Sequence, residues 1–308
     1  MTTVTAAVVV KNRRDLMARC LDGLFTQERL PDEIVVVDNE STDGTWELLQ
    51  ERAAAASVPL RVLREPGSVG HVRNVALTAA TGDVIAYVDS DCVPSREWLA
   101  QGVKALLADD RVAVVQGRTI PDPGAPRAPW PATQDIPSLS GLYEACNIFY
   151  RTDVLRRVEG FDETIGFFGE DAMAGWAVLR LGFRPAFEPS AIVAHSVTYP
   201  GLGWHLRRAT LYWKWARLVR RFPEMRSILW LGVFLRPRTA LVFVTGVSLV
   251  LSRWKPRAAL FAVPYLWWRR PRHLRRRAVA QAAATVAFDA TVSGALVVGT
   301  IRERTVVL

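Results

Sequence analysis

"AYVDSDCVP", Ala86 to Pro94, is an apolar run that stops abruptly at two carboxylates one residue apart. A short apolar run without polar alternation is the pattern of a strand buried on both faces, as in a parallel sheet covered by helices. Asp89, Ser90 and Asp91 then leave the strand in a turn before Pro94. Two acids in a turn, rather than in the pleat, can both face one hard cation. Taken alone, the same triplet also reads as a solvated turn with a helix-capping Asp. The surrounding sequence has to decide.

Upstream of this run, β-branched segments alternate with helical periodicity: "TAAVVVKN", Asp15 to Phe25, "EIVVVDN", Thr45 to Ala55, "LRVLRE", Val72 to Ala80, and then "VIAYVDSD". Strands separated by helices predict an α/β domain with a mostly parallel sheet, in which ligands bind beyond the carboxyl ends of the strands. Three polar loops fall at such ends: Asp38 to Gly44, "GSVGHVRN", and Asp89-Ser90-Asp91. They are expected to gather at one crevice. The proline-crowded stretch 119–138 is expected to be a long loop over or beside it.

The chain has 308 residues, half of them hydrophobic, which is enough to bury a large core. Cys20, Cys92 and Cys146 lie far apart with no C-x-x-C pair, so neither a zinc cage nor a disulfide framework is indicated. The N-terminal apolar run is short and lacks a basic leader, and reads as a first strand that stays in the cytoplasm.

The net charge of +9 conceals a sharp division. Of 39 basic and 30 acidic residues, 201–308 hold 20 basic and three acidic (Glu224, Asp289 and Glu303), so 1–200 carry about −8 and 201–308 about +17. Seven of the eleven Trp also lie after residue 200. Cations interleaved with Trp and apolar runs match an anionic membrane surface better than nucleic acid. Two domains follow: 1–200, α/β, and 201–308, helical and membrane-associating.

Within the second, Trp204 to Phe222 reads as an interfacial amphipathic helix. Thr239 to Ser252 is uncharged but spans 14 residues, short of the roughly 20 that cross hydrocarbon, so it is re-entrant or extends back through Ile228. Ala278 to Ile301 is long enough to span, between Arg275-Arg276-Arg277 and Arg302. Its one acid, Asp289, is expected to face protein, or else the segment only grazes the interface.

Four segments in order, "VVVKNRRDLMARCLDGLFTQERLPDEIVVVDNESTDGT", "GHVRNVALTAATGDVIAYVDSDCVPSREWL", "GFDETIGFFGED" and "AIVAHS", resemble glycosyltransferase family 2 over roughly residues 4–196. The resemblance implies a single Rossmann-like nucleotide-diphospho-sugar transferase domain of GT-A type, with a metal-dependent inverting activity. It implies Asp91 as a direct ligand of Mn²⁺ or Mg²⁺, His195 as a further ligand, and Asp89 at the donor ribose or supporting the metal shell. By the same resemblance Asp38 contacts the nucleoside, and Asp171 is the catalytic base with Glu170 positioning it.

Arg73 and Asn74 are expected to open a helix and meet the donor phosphates. Trp176 stands in a Trp-Ala pair where the family often has Trp-Arg, which leaves the acceptor open, and the ring itself reads as core. The expected partners are a nucleotide-diphosphate sugar, a lipid-linked or glycan acceptor, and membrane lipids at the cytoplasmic face. A polyprenyl-phosphate glycosyltransferase and a non-catalytic nucleotide-sugar-binding partner are the alternatives. The absence of G-x-G-x-x-G after the first strand speaks against a dinucleotide enzyme.

Overall fold

Runs of Val, Ile and Ala become the inner strands of one sheet. β1 (Val4–Val10), β2 (Glu33–Asp38), β3 (Leu60–Arg64) and β4 (Val84–Val88) are parallel in the spatial order β3-β2-β1-β4. They are linked by α1 (Arg14–Phe25), α2 (Thr45–Ala55) and α3 (Val69–Ala79). Every residue of β4 is buried, as both-face coverage requires. The edge strand β3 is only partly covered.

The chain then adds β5 (Cys92–Pro94), α4 (Trp98–Leu107), β6 (Val112–Pro121), β7 (Asn147–Arg151), α5 (Thr152–Arg157), α6 (Glu170–Arg180) and β8 (Arg184–His195). The sheet has eight strands in the order β3-β2-β1-β4-β7-β6-β8-β5. β7 is antiparallel to both neighbours, β8 is parallel to β6, and β5 is antiparallel to β8. β1 stands where the strand order reverses, with β2 on one side and β4 on the other, so a crevice opens at their carboxyl ends.

The structure, a computed structural model, describes residues 2–271 and 276–308, and its chain divides into the units Met1–Thr198 and Tyr199–Leu308. Arg275, one of the cations expected to flank the last apolar segment, lies outside the described residues.

Three expectations need correction. The helix read as Val72 to Ala80 begins at Val69, because Ser68 caps it by accepting a hydrogen bond from His71 N at 3.2 Å. Arg73 and Asn74 therefore sit beyond the first turn, and their backbone groups do not open the helix. The stretch 119–138 is not loop throughout, since Thr119–Pro121 continue β6. The Trp204 to Phe222 helix is α7 (Leu202–Ala209) and α8 (Lys214–Arg221), separated by a 3₁₀ turn at Thr210–Trp213.

In the second unit follow α9 (Pro237–Leu251), α10 (Val263–Arg269) and α11 (Arg276–Glu303). α9 starts at Pro237 and does not run back to Ile228. α11 is long and apolar enough to cross a membrane, and only 22% of its most apolar stretch is buried, unlike the core helix of a soluble domain. Asp289 is buried against Arg269 Nε at 2.8 Å and Tyr265 OH at 3.0 Å, so it faces protein. Gly299 is needed where α11 meets the Trp213 backbone, since a Cβ there would overlap it.

The antiparallel half of the sheet depends on Asn147 at the start of β7. Its side chain is fully buried, donates at 2.9 Å to the carbonyls of Arg118 and Ala191, and accepts from Trp98 Nε1 at 2.8 Å. Removing it strands three buried groups. Asn147→Ala is expected to lower unfolding free energy by about 2–4 kcal/mol, read from urea unfolding of the purified protein. A change within ~0.5 kcal/mol would mean that water replaces the amide.

Candidate active site

The crevice is a cleft of about 230 Å³ lined by Lys11 and Arg13 after β1, Asn39 after β2, Arg73 on α3, Asp89 and Ser90 after β4, and Phe167 from the loop before α6. Sheet topology thus brings three strand ends to one place, as the sequence pattern predicts.

The turn after β4 is pinned from beneath. Asp89 N donates to the Cys146 carbonyl at 3.4 Å, Cys92 N donates to the Asp89 carbonyl at 2.9 Å, and the Cys20 thiol lies 3.7 Å from that same carbonyl. Cys20, Cys92 and Cys146 are free, buried thiols packed around the turn.

Asp91 is 9% exposed and ion-paired with Arg13, while its Oδ1 is buried with no hydrogen-bond partner. His195, at the end of β8, brings Nε2 within 3.7 Å of Asp91 Oδ2. Its Nδ1 lies 2.8 Å from the Ser196 carbonyl, a contact that orients the ring with Nε2 toward Asp91.

Ligand atoms of Asp91, Cys92 and His195 lie within 4.8 Å of one another. A carboxylate with an unsatisfied buried oxygen beside an imidazole nitrogen fits Mn²⁺, and less well Mg²⁺. The thiol of Cys92 does not suit a hard ion.

Arg73 joins the two acidic motifs. Its guanidinium is almost fully buried, donates to Glu170 Oε1 at 2.7 Å, and reaches Asp89 Oδ1 at 3.3 Å. Burial alone would depress Arg73, yet Asp89, Glu170 and Asp171 hold it charged, above its ordinary range. It is therefore occupied by protein carboxylates.

Asn74 turns away from the cleft. Its amide donates at 2.8 Å to the Phe161 carbonyl and Glu163 Oε1, and accepts at 2.8 Å from Phe161 N. It clamps the entrance of the loop that leads to α6. The structure does not bring it to the other site residues.

That loop passes through Gly166, Phe168 and Gly169 at φ of +65°, +83° and +105°. Phe168 is the strained member, because a bulky residue seldom enters the left-handed region. Past it, α6 opens with Glu170 and Asp171. Asp171 accepts from Ala172 N at 2.8 Å and from Ala145 N at 3.4 Å, so adjacent residues Ala145 and Cys146 hold Asp171 and the Asp89 turn together. Desolvation, then the adjoining Glu170, push the Asp171 carboxyl well above the carboxylate range, while Arg73 pulls it back.

Asp38 lies at the end of β2 but is fully buried. Its carboxylate accepts from Ser41 N at 3.1 Å and pairs with Arg64 Nε at 3.6 Å. It shapes the turn that presents Asn39. Asp43 and Gly44 shape the next one: Asp43 accepts from Thr45 N at 3.1 Å and Gly44 takes φ +87°. Trp176 is core, its Nε1 donating to the Gly141 carbonyl at 2.9 Å.

Sequence reasoning missed Lys11, Arg13, Asn39 and Phe167. A run of three cations within "KNRR" at the end of the first strand was the available signal for two of them.

Residues 5–165 match the family described as Glycosyl transferase family 2. The pre-mycofactocin glycosyltransferase of Mycobacterium tuberculosis is 28% identical over 243 residues, covering 72% of this chain and 48% of its own length. Glycosyltransferase AglE of Haloferax volcanii is 28% identical over 170 residues, covering 51% of this chain and 55% of its own length. The chain thus spans about half the length of these relatives. Among solved structures, the mannosyltransferase PcManGT of Pyrobaculum calidifontis, in complex with GDP-Man and Mn²⁺, superimposes with a TM-score of 0.63 at 22% identity, covering 98% of this chain and 87% of that one. That likeness is one of fold.

Glu170 and Arg73 are a buried pair, so removing one charge leaves the other uncompensated. Arg73→Met is expected to destabilise the protein by about 3–5 kcal/mol in denaturant unfolding, and adding Glu170→Leu to recover much of the loss. A single variant as stable as the wild type would show that the Glu170 carboxyl is neutral in the folded protein.

Proposed function

The chain belongs to glycosyltransferase family 2, and from that premise we propose that it moves a sugar from a nucleoside-diphosphate donor to a hydroxyl of a lipid-linked or growing glycan acceptor, with inversion. The observation that carries this reading is a cleft at the ends of β1, β2 and β4 with Asp89 in its wall, where Arg73 ties Asp89 to Glu170 and the Ala145–Cys146 backbone ties Asp171 to the turn that carries Asp89 and Asp91.

Asp91 and His195 would hold Mn²⁺ or Mg²⁺, which neutralises charge on the leaving diphosphate when bound. Asp89 faces the cleft beside them and suits the donor's ribose. Asn39 presents the nucleoside edge, with Asp38 acting through the turn. Arg73 positions Asp89 and Glu170 instead of contacting phosphate, and Asn74 positions the loop before α6.

Asp171 takes the proton of the acceptor hydroxyl as that oxygen bonds to the anomeric carbon. The bond from that carbon to the diphosphate oxygen breaks with its electron pair on the phosphate. A base must be ionised to act, and one whose pKa is raised by burial is a stronger proton acceptor near neutrality. Glu170, paired with Arg73, fixes its place.

The proposed setting is the cytoplasmic face of a membrane, and features of the second unit favour membrane association. α11 has spanning length, and Trp254, Trp267 and Trp268 are exposed amid a strongly basic segment. This favours a lipid-linked acceptor and keeps polyprenyl phosphate as the alternative. A phosphate oxygen is already deprotonated and needs no general base, so chemistry separates the two.

Asp171→Asn is expected to lower kcat by roughly 10²–10⁴ with a hydroxyl acceptor while donor affinity changes little. If polyprenyl phosphate is the acceptor, the same variant keeps most of its rate. The wild-type rate should fall as pH drops through the raised Asp171 pKa, with an acid limb above that of an ordinary carboxylate, and the limb should vanish in the variant. Asp91→Ala is expected to weaken metal-dependent donor binding, measured by calorimetry with and without Mn²⁺. Full turnover by Asp171→Asn on every acceptor would refute the base assignment.

A further inference from the structure

Asp91 already has a cation on it. Its carboxylate is 9% exposed, and a buried negative charge cannot stand uncompensated. Among the described residues its ionic partners are Arg13, in direct contact, and His195 Nε2 at 3.7 Å. Arg13 is the guanidinium in direct contact, and it supplies the positive charge.

Arg13 is built so that only its side chain needs to move. Its N donates to Thr45 Oγ1 at 3.2 Å, its carbonyl accepts from Met17 N at 2.8 Å, and the preceding Asn12 N donates to Ser41 Oγ at 2.9 Å. The backbone is tied to two other elements, whereas the side chain is 42% exposed and lines the cleft. Arg73, the other arginine there, is committed to Glu170 and Asp89. Of the cleft's cations, Lys11 and Arg13 remain to meet a diphosphate.

We propose that Arg13 is a resident counter-ion of Asp91 that the divalent cation displaces, and that the released guanidinium passes to the donor's diphosphate. Cation and guanidinium compete for one carboxylate, so the ion alone binds weakly: the competent state is populated only when Arg13 has left. A diphosphate gives Arg13 a new partner of opposite charge and frees Asp91. Donor and ion then strengthen each other's binding through this side chain, and the coupling is reciprocal. Arg13 is thus a positioning residue for ordered assembly of the site. This inference rests on the reading of the cleft as a donor and metal site.

The test is Mn²⁺ binding to the full chain, followed by loss of the free-ion electron paramagnetic resonance signal, without and with UDP or GDP. Arg13→Gln is expected to bind Mn²⁺ alone more tightly, within the ~5–150-fold range typical of coupled sites, and to gain less from added diphosphate than the wild type. Arg14→Gln, the next residue, whose exposed guanidinium lies 3.4 Å from the exposed Asp15, should behave as the wild type. In thermal unfolding without metal, Arg13→Gln should melt below the wild type, and saturating Mn²⁺ should close that gap. Arg13→Lys, which keeps a cation on the stem, guards against misfolding of the neutral variant and should retain the competition.

A folded Arg13→Gln protein that binds Mn²⁺ no more tightly than the wild type overturns the counter-ion role and leaves the donor-site reading standing. If neither protein takes up Mn²⁺ even with a diphosphate present, both fall.

Discussion

A buried guanidinium organises the catalytic unit. Arg73 sits on α3, yet its two partners come from the end of β4 and the start of α6, elements separated by some eighty residues of chain. Neither acid could be buried there alone, because an unpaired carboxylate in low dielectric would protonate or pull the structure open. The guanidinium fork gives each acid one nitrogen, Nη1 to Glu170 Oε1 and Nη2 to Asp89 Oδ1. The two acidic motifs are thereby fixed to each other in space, and the loop between α5 and α6 has only to deliver Glu170 to an existing cation.

The sheet sets where such a device can stand. Parallel strands expose their carboxyl ends on one edge, and the reversal of strand order at β1 opens a crevice there, walled on one side by α3. Acids in the interior of β4 would be ruinous. At its end they meet Arg73 on one side and Arg13 on the other, so the strand can be wholly apolar and still terminate in two charges. This answers why the apolar run stops as it does. Around the turn the three thiols act as small apolar fillers, burial pushing the Cys20 and Cys92 thiols well up.

Much of this was legible in the chain itself. Continuous β-branched runs gave β1, β2 and β4 nearly to the residue, since burial on both faces leaves no polar alternation to confuse the period. Less visible was the start of α3, where Gly67 and Gly70 flank Ser68 and imitate a loop, although the serine is the cap. Gly70 is small for tertiary reasons, because a Cβ there would overlap the backbone of Asp162. Asn74 was misread for a related reason: adjacent helical residues face different ways, so Arg73 reaches the cleft and Asn74 cannot. Asp38 marked a true strand end, but its full burial follows from Arg64 on β3, a pairing that sequence alone does not reveal. Arg13 was hidden because its partner lies on another strand.

In the second unit the same electrostatic logic runs with few acids. Only Glu224, Asp289 and Glu303 offset twenty Lys and Arg. Asp289 pairs with Arg269, and Glu303 with Arg217 and Arg220 at 3.3 and 3.2 Å. Each fastens α11 to another helix of its own unit. Asp289 would be costly on a helix of spanning length if it faced hydrocarbon, but a guanidinium and a phenol hydroxyl satisfy it within the unit. Internal carboxylates therefore cannot balance the remaining basic charge. Several of these arginines instead lie over indole rings, as Arg270 does on Trp267 and Arg302 on Trp213, at 3.2 and 4.4 Å from the ring centres. A guanidinium stacked on one face still offers its N–H edge, which is the geometry that meets phosphate at a lipid headgroup layer.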